Sequence, residues 1–226
     1  MIVNCFHSHQ IKPFLIDVLT PHIPTPVINE ESLSSVEYLF SYQNEYVFRG
    51  SSPSKPPSLY YLSSQQSLIQ IDSTQSYSTQ ISYQTFMSSP ESGCECILYQ
   101  NPSVKENHSL IVLLHGGPHR LFHAVFNSDI LFYLKKGFSV LVPNYHGSYG
   151  YGDSFLHSLC GHLGDIEVKD VIDAVEKVIS ESSFHIDRTR VFGMGSSYGG
   201  FIILHTLEKQ PNLFKVIFIV TIDCRK

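Results

Sequence analysis

Residues 188–200 read RTRVFGMGSSYGG, a short apolar segment that runs into a turn rich in glycine and serine. The residues that follow Tyr198 are again mostly apolar. We therefore predict a strand that ends near Gly195, a tight turn and then a helix. A strand that leads directly into a helix is the repeating unit of a parallel sheet with helices on its faces.

The same alternation of strands and helices continues on both sides of this segment. Strands are indicated by continuous apolar runs, and helices by apolar residues three and four positions apart or by a glycine stop. The predicted strands lie at Leu110–Leu114, 138–145 and 214–222, and the predicted helices at 126–138 and 164–180. Residues 85–226 are thus predicted to form an α/β domain built on a parallel sheet with flanking helices.

Residues 1–84 have a different composition, which is rich in serine, tyrosine, glutamine and proline. Short candidate strands at 45–49, 58–62 and 67–72 alternate with clusters of turn-forming residues. This pattern predicts all-β structure. The segment is too short for a separate propeller, because one blade takes about 40 residues.

The bulk composition excludes several classes of protein. The chain has 226 residues, a net charge of −5 and 42% hydrophobic residues, which is typical of a globular protein without a nucleic-acid-binding face. It has no apolar run of about 18 residues, so we expect no membrane partner. Its five cysteines are scattered and show no metal-site spacing. We therefore expect reduced thiols, a cytoplasmic location and no bound metal.

The turn at residues 195–199 matches the pattern G-x-S-x-G, with Ser197 at its centre. A serine on a sharp turn between strand and helix needs nearly bare neighbours, and Gly195 and Gly199 provide them. Its hydroxyl would be presented at the edge of the sheet, above a helix N-terminus that favours developing negative charge. Ser197 is thus the predicted nucleophile. The alternative is that glycine and serine simply form a strand-to-helix turn.

A second glycine-rich turn, His115-Gly116-Gly117-Pro118, follows the predicted strand Leu110–Leu114. Attack on a carbonyl group places negative charge on its oxygen, which two fixed backbone N–H groups can bind. The predicted donors of this oxyanion hole are Gly117 and Tyr198. We expect His115 and Gly116 to lie near the substrate, although a lone histidine in a turn can equally well shape the loop.

The general base and its acidic partner are harder to find. In this arrangement the acid and the histidine follow the serine along the chain. Asp223 has no histidine after it, and His205, 8 residues beyond Ser197 on the predicted helix, would be about 12 Å away. His119 precedes Ser197. We therefore expect the aspartate and histidine of a triad to be absent from this chain.

Four segments together carry a family resemblance: LLHGGPH, GFSVLVPNYHGSYGYG, GDIEVKDVIDAVEKVI and GMGSSYGGF. From about Cys94 to about Lys226 the chain resembles the hydrolase domain of the prolyl oligopeptidase family. The resemblance implies the N-terminal part of an α/β-hydrolase fold, preceded by the end of a β-propeller and a connector. It also implies a cytoplasmic serine peptidase without cofactor or metal, with Ser197 as nucleophile and Gly117 and Tyr198 as oxyanion hole. Its expected substrate is an N-acylated peptide, from which an N-acyl amino acid is released.

The chain also departs from the family pattern. The family's N-Y-R-G-S loop has a histidine here, His146, which cannot reproduce the fork of an arginine. The chain resembles a fragment truncated at both ends, and the apolar strand at 214–222 would then have an unpaired edge. Two other functions remain open. One is an inactive fragment or isoform that associates with a partner, a homo-oligomer included, and the other is a different α/β-hydrolase such as an esterase.

Overall fold

The computed structural model describes residues 2–15, 25–26, 33–43, 45–63, 67–72, 81–104 and 108–220. These residues form two compact units. The first contains the described residues of 1–79 together with His123–Ser128, and the second those of 80–122 and 129–226. Asp223 and the end of the predicted strand 214–222 lie outside the described residues.

The first unit consists of two antiparallel sheets. One has the order β1-β2-β3, formed by Ile2–His7, Gln10–Leu15 and Thr25–Pro26. The other has the order β4-β5-β6-β7, formed by Ser35–Tyr42, Glu45–Ser52, Lys55–Leu62 and Leu68–Gln70. The strands predicted at 45–49, 58–62 and 67–72 are confirmed as β5, β6 and β7.

A small apolar core holds the four-stranded sheet together. It consists of Leu33, Val36, Phe48 and Tyr60. Gly50 lies at the closest point, since a Cβ atom there would be 2.5 Å from Leu33 Cδ1 and 2.8 Å from the Tyr60 ring. Only glycine therefore allows the two side chains to pack over this strand.

The second unit is built on a six-stranded sheet with the order β13-β12-β10-β11-β9-β8. Its strands are β8 (Ser82–Met87), β9 (Glu95–Gln100), β10 (Leu110–Leu114), β11 (Ser139–Asn144), β12 (Val191–Ser196) and β13 (Val216–Val220). The last four are parallel, as predicted. β9 pairs antiparallel with β11, and β8 pairs antiparallel with β9, so the sheet is mixed and not wholly parallel.

Helices lie between the parallel strands. They are α1 (Ser128–Lys135), α2 (Asp153–His157), α3 (Ile166–Ser180) and α4 (Tyr198–Lys209). The predicted end of α1 is confirmed, because Gly137 follows it with a φ of 89° that favours glycine. α3 buries the predicted stripe of apolar residues, which includes Val168, Val171 and Val175. No helix in the described part of the chain is long and apolar enough to cross a bilayer.

The core of this unit lies between the sheet and the helices α3 and α4. It includes the strand residues Leu110, Val112, Leu141 and Val191 and the helix residues Val171, Val175, Ile202 and Ile203, all of them fully buried. Each such side chain contributes about 1.5–3 kcal/mol by leaving water. Because β10, β11 and β12 are parallel, their carboxyl ends meet at one edge of the sheet, where ligands bind in open α/β sheets.

Candidate active site

The turn after β12 holds Ser197 in a strained backbone conformation. Its φ is 52° and its ψ is −117°, a region that residues other than glycine rarely adopt. The turn is fixed on both sides, since the Ser197 N–H donates to the Val220 carbonyl at 2.9 Å and the Ser197 carbonyl accepts from the Gly200 N–H at 2.9 Å. The residue itself is exposed, so its hydroxyl is accessible at the start of α4.

The two glycines that flank Ser197 are sterically required. A Cβ atom at Gly195 would lie 2.5 Å from the Gly199 carbonyl oxygen, and one at Gly199 would lie 2.4 Å from the Leu114 carbonyl oxygen. These distances are far inside van der Waals contact. The structure therefore confirms that the G-x-S-x-G turn leaves no room for a side chain at either glycine.

The Gly116-Gly117 loop lies beside this turn. A Cβ atom at Gly116 would be 3.3 Å from Ser197 Cβ and 3.0 Å from the Ser196 carbonyl oxygen. Gly117 is exposed, has a φ of 52° and has open space around its Cα. Within the described residues, neither the Gly117 nor the Tyr198 N–H takes part in a backbone hydrogen bond. The structure thus brings together Ser197 and the loop that holds Gly117.

The side chain of His115 points into the protein. Only 6% of the residue is exposed, and its ring stacks on Tyr145 with the centroids 4.2 Å apart. The ring nitrogens lie 3.1 Å from Ser148 Oγ and 2.9 Å from Tyr145 Oη. Burial lowers the pKa of His115 to about 4, although backbone oxygens of Gly116 and Gly117 oppose this shift. Because the ring is buried, the structure favours a role in shaping the loop over contact with a substrate.

The loop after β11 is tied to α3 through His146. Its N–H and its Nδ1 lie 2.8 Å and 2.7 Å from the same oxygen of Asp170, and its ring stacks on Phe155. Asp170 is only 1% exposed. A histidine at this position therefore keeps the loop attached to the helix, without the two-pronged contact of an arginine.

The side chains behind the turn could not be predicted from sequence. Tyr145 is fully buried and donates a hydrogen bond to the His115 carbonyl at 2.8 Å. Ser148 donates to the Tyr145 carbonyl at 2.6 Å. The Tyr198 hydroxyl donates to Glu167 Oε1 at 2.6 Å, and burial, this bond and the Glu167 charge raise the pKa of Tyr198. These contacts join residues far apart in sequence, so no local pattern reveals them.

The other histidines near the site are engaged elsewhere. His119 Nδ1 lies 2.9 Å from the Gly147 carbonyl oxygen, and His205 Nδ1 lies 3.3 Å from Glu208 Oε2. Among the described residues, no histidine nitrogen is hydrogen-bonded to the Ser197 hydroxyl. In the same part of the chain, no three side chains of His, Cys, Asp or Glu are grouped so that they could hold a metal ion.

The chain is similar in sequence to known proteins. The sequence model of the prolyl oligopeptidase family matches residues 124–221. This segment is therefore similar to the catalytic part of that family. The acylamino-acid-releasing enzyme of Rattus norvegicus is 41% identical over 122 residues, or 53% of this chain and 16% of the rat protein. Acylamino-acid-releasing enzyme 1 of Oryza sativa subsp. japonica is 38% identical over 104 residues, or 46% of this chain and 13% of the rice protein.

One solved structure is similar over nearly the whole chain. The acylaminoacyl peptidase of Pyrococcus horikoshii has a TM-score of 0.79 at 20% identity, over 98% of this chain and 35% of that chain. The predicted partial α/β-hydrolase fold is thereby confirmed. The chain spans 13% to 16% of the length of its rice and rat relatives.

Proposed function

We propose that this chain is part of a serine peptidase of the acylaminoacyl-peptidase type, which releases an N-acyl amino acid from a blocked peptide. The observation that carries the proposal is the exposed, strained Ser197 beside the Gly116-Gly117 loop. The relatives whose names state the release of acylamino acids support this substrate class. Residues 85–226 would be the N-terminal part of the catalytic domain, and residues 1–84 the end of a propeller and its connector.

The proposed chemistry is acyl transfer to Ser197. Its Oγ attacks the carbonyl carbon of the scissile bond, the carbonyl π electrons move to the oxygen, and the hydroxyl proton passes to a base that the complete catalytic domain would supply. The carbonyl then re-forms, the C–N bond breaks and the amine leaves with that proton. Water hydrolyses the acyl-serine ester, which releases the N-acyl amino acid and restores Ser197. The N–H groups of Gly117 and Tyr198 are the proposed donors to that oxygen, aided by the N-terminus of α4. His115 and Gly116 support this loop close to the substrate. No metal or cofactor takes part in the proposed reaction.

The rate expected for this chain by itself is low. No described histidine contacts the Ser197 hydroxyl, and a serine without a base keeps its proton and is a weak nucleophile. Enzymes that lose triad members keep a residual acceleration of about 10³–10⁴ over water from the oxyanion hole and binding. The full peptidase rate is therefore proposed for the family's complete catalytic domain.

We propose a cytoplasmic location on the basis of the cysteines. Cys5, Cys94, Cys96 and Cys160 are free thiols in the structure. Reduced cysteines are typical of cytoplasmic proteins, so we place the protein there. The net charge of −5 argues against a nucleic-acid partner.

An activity-based probe tests the nucleophile. A fluorophosphonate reacts with an activated serine, and we expect the label to map to Ser197 by mass spectrometry. The labelling should be slow, because no described histidine contacts the Ser197 hydroxyl. Ser197→Ala should abolish the label, whereas Ser196→Ala, a change at the neighbouring serine, should leave it. Equal labelling of the Ser197→Ala variant and the unchanged chain would falsify the assignment. Comparison of acyl-amino-acid substrates with simple esters then separates a peptidase from an esterase.

A second candidate function is association with a partner chain. It is supported by the exposed apolar side chains of β13, of which Phe218 is 62% exposed. Such a strand edge is a template for pairing with another chain. In this case the chain would act as a non-enzymatic subunit or isoform, in a homo-oligomer or with a different chain.

A further inference from the structure

Glu167 is a fully buried carboxylate behind the nucleophile turn. It lies in the first turn of α3 and has no exposed surface. Its Oε1 accepts hydrogen bonds from the Tyr198 hydroxyl at 2.6 Å and from the Gly164 N–H at 2.7 Å. Its Oε2 has no hydrogen-bond partner among the described residues. A buried polar atom without a partner costs stability, and such costs are typical of functional positions.

Tyr198 connects this carboxylate to the proposed oxyanion hole. It is the first residue of α4 and directly follows Ser197, whose backbone is strained. Its ring stacks on Phe201, with the centroids 5.1 Å apart, and lies tilted beside Tyr145, with the centroids 6.3 Å apart. Stacking limits the tilt of the ring, and the bond to Glu167 fixes how far its hydroxyl reaches toward α3. The position of the ring in turn fixes the Cα of Tyr198 and the direction of its N–H.

The same group of side chains supports the other proposed donor. Tyr145, which packs beside Tyr198, also stacks on His115 and donates to the His115 carbonyl at 2.8 Å. His115 lies two residues before Gly117. Thus a chain of contacts from Glu167 through two tyrosines reaches both sides of the site. Preorganised donors of this kind need supporting residues to hold them in place.

We infer that Glu167 is a positioning residue for the oxyanion hole, acting through the Tyr198 hydroxyl on the Tyr198 N–H. The inference rests on the proposed function, in which that N–H binds the developing oxyanion. The competing explanation is that Glu167 only caps α3 through the Gly164 N–H. The two explanations differ at Tyr198, because Tyr198→Phe removes the bond to Glu167 and leaves the Gly164 bond in place.

The test uses the full chain and four single changes. Glu167→Leu removes the acceptor, Glu167→Gln keeps a carbonyl oxygen for it, and Tyr198→Phe removes the donor. Glu176→Gln is the matched control, since Glu176 lies on the same helix and forms an exposed ion pair with Arg188. The first measurement is the rate of fluorophosphonate labelling of Ser197, well below the unfolding temperature of each variant.

If Glu167 positions Tyr198, then Tyr198→Phe and Glu167→Leu each slow labelling at least tenfold. Glu167→Gln and Glu176→Gln should stay within about twofold of the unchanged chain. The double variant, Glu167→Leu with Tyr198→Phe, should be labelled no more slowly than the slower single variant, because both changes remove the same hydrogen bond. Labelling of Tyr198→Phe at the unchanged rate would overturn the inference. So would a double variant whose labelling is slowed by the product of the two single effects. If Glu167→Leu does not fold, Tyr198→Phe decides alone.

A second measurement keeps the inference separate from the proposed function. The Gly200 and Phe201 N–H groups both donate to the Ser197 carbonyl, at 2.9 Å and 3.2 Å, so their hydrogen exchange reports on the turn. We expect faster exchange in Tyr198→Phe and Glu167→Leu but not in Glu167→Gln. If the unchanged chain takes no label, the proposed function fails and exchange alone decides on Glu167. Unchanged exchange in Tyr198→Phe would then reject the positioning role.

Discussion

Ser197 owes its position to two neighbours without side chains. A Cβ atom at Gly195 would lie 2.5 Å from the Gly199 carbonyl oxygen, and one at Gly199 would lie 2.4 Å from the Leu114 carbonyl oxygen. Gly117, in the loop beside them, has open space around it. The residue types at such contacts can be predicted from sequence, because only glycine fits and its spacing is fixed by the turn. His115 shows the opposite case. Whether its ring faces a substrate or the core depends on Tyr145 and Ser148, which reach it from a different loop.

The two kinds of glycine predict different costs on substitution. Gly199→Ala should destabilise the chain by about 3 kcal/mol or more, because its Cβ would lie 2.4 Å from a backbone oxygen that cannot move away. In Gly117→Ala the added methyl group contacts no atom, so the only cost is that of the left-handed backbone, about 1–2 kcal/mol. Urea unfolding of both variants measures the difference. Equal losses would show that the close approach at Gly199 is not the source of its cost.

His115 predicts a specific pH dependence of stability. Its folded-state pKa of about 4 lies below the ordinary value of about 6.5 that it regains on unfolding, because burial disfavours the charged ring. Between these values the unfolded chain binds a proton that the folded chain does not. This contribution therefore falls as the pH drops from about 6.5 to about 4, by up to about 3 kcal/mol, and is constant above that window.

Unfolding free energies measured across this pH window test the assignment. His115→Gln should flatten the slope between pH 4 and 6.5. His157→Gln, a change at a histidine whose side chain is 62% exposed, should leave the slope as it is. A slope that persists in His115→Gln would mean that other groups cause it.

At the scale of elements, predictability followed the strength of the periodic pattern. α3 was predictable because 15 residues repeat an apolar stripe, and β10 because its five residues are all apolar. β8 was not, since the segment SYQTFM is mostly exposed and carries no alternation. α2 has five residues, too few for a helical period to show. The antiparallel end of the sheet therefore depends on pairing, which local sequence does not encode.

The attachment of the β11 loop to α3 predicts an uneven response along one helix. Asp170→Ala leaves the half-buried His146 N–H without its acceptor, which should cost about 1–3 kcal/mol. Asp173 lies three residues further along the same helix. Asp173→Ala removes only the ion pair with Lys169, whose side chain is 67% exposed, and should cost about 0.5 kcal/mol or less. Thermal unfolding of both variants measures the contrast. A loss at Asp173 as large as that at Asp170 would contradict it.

At the scale of the whole molecule, the exposed strand β13 governs how the chain behaves in solution. Within the described residues it is an edge of the sheet, and Val216, Phe218 and Val220 are 56%, 62% and 51% exposed on one face. Their neighbours Ile217 and Ile219 pack against the core on the other face. The strand carries no charge that would oppose pairing with another chain.

We therefore expect the chain to self-associate as its concentration rises, with low solubility at neutral pH. Phe218→Lys should reduce association, because a charge on an edge strand must be desolvated when a second chain pairs with it. It should not lower the unfolding temperature much, since the side chain faces solvent. Phe132→Lys is the matched control: Phe132 is 55% exposed but lies on α1 and not on β13, so association should persist. Sedimentation velocity over a range of concentrations measures each variant. A strictly monomeric, soluble chain, or an equal loss of association in both variants, would show that β13 is not the surface responsible.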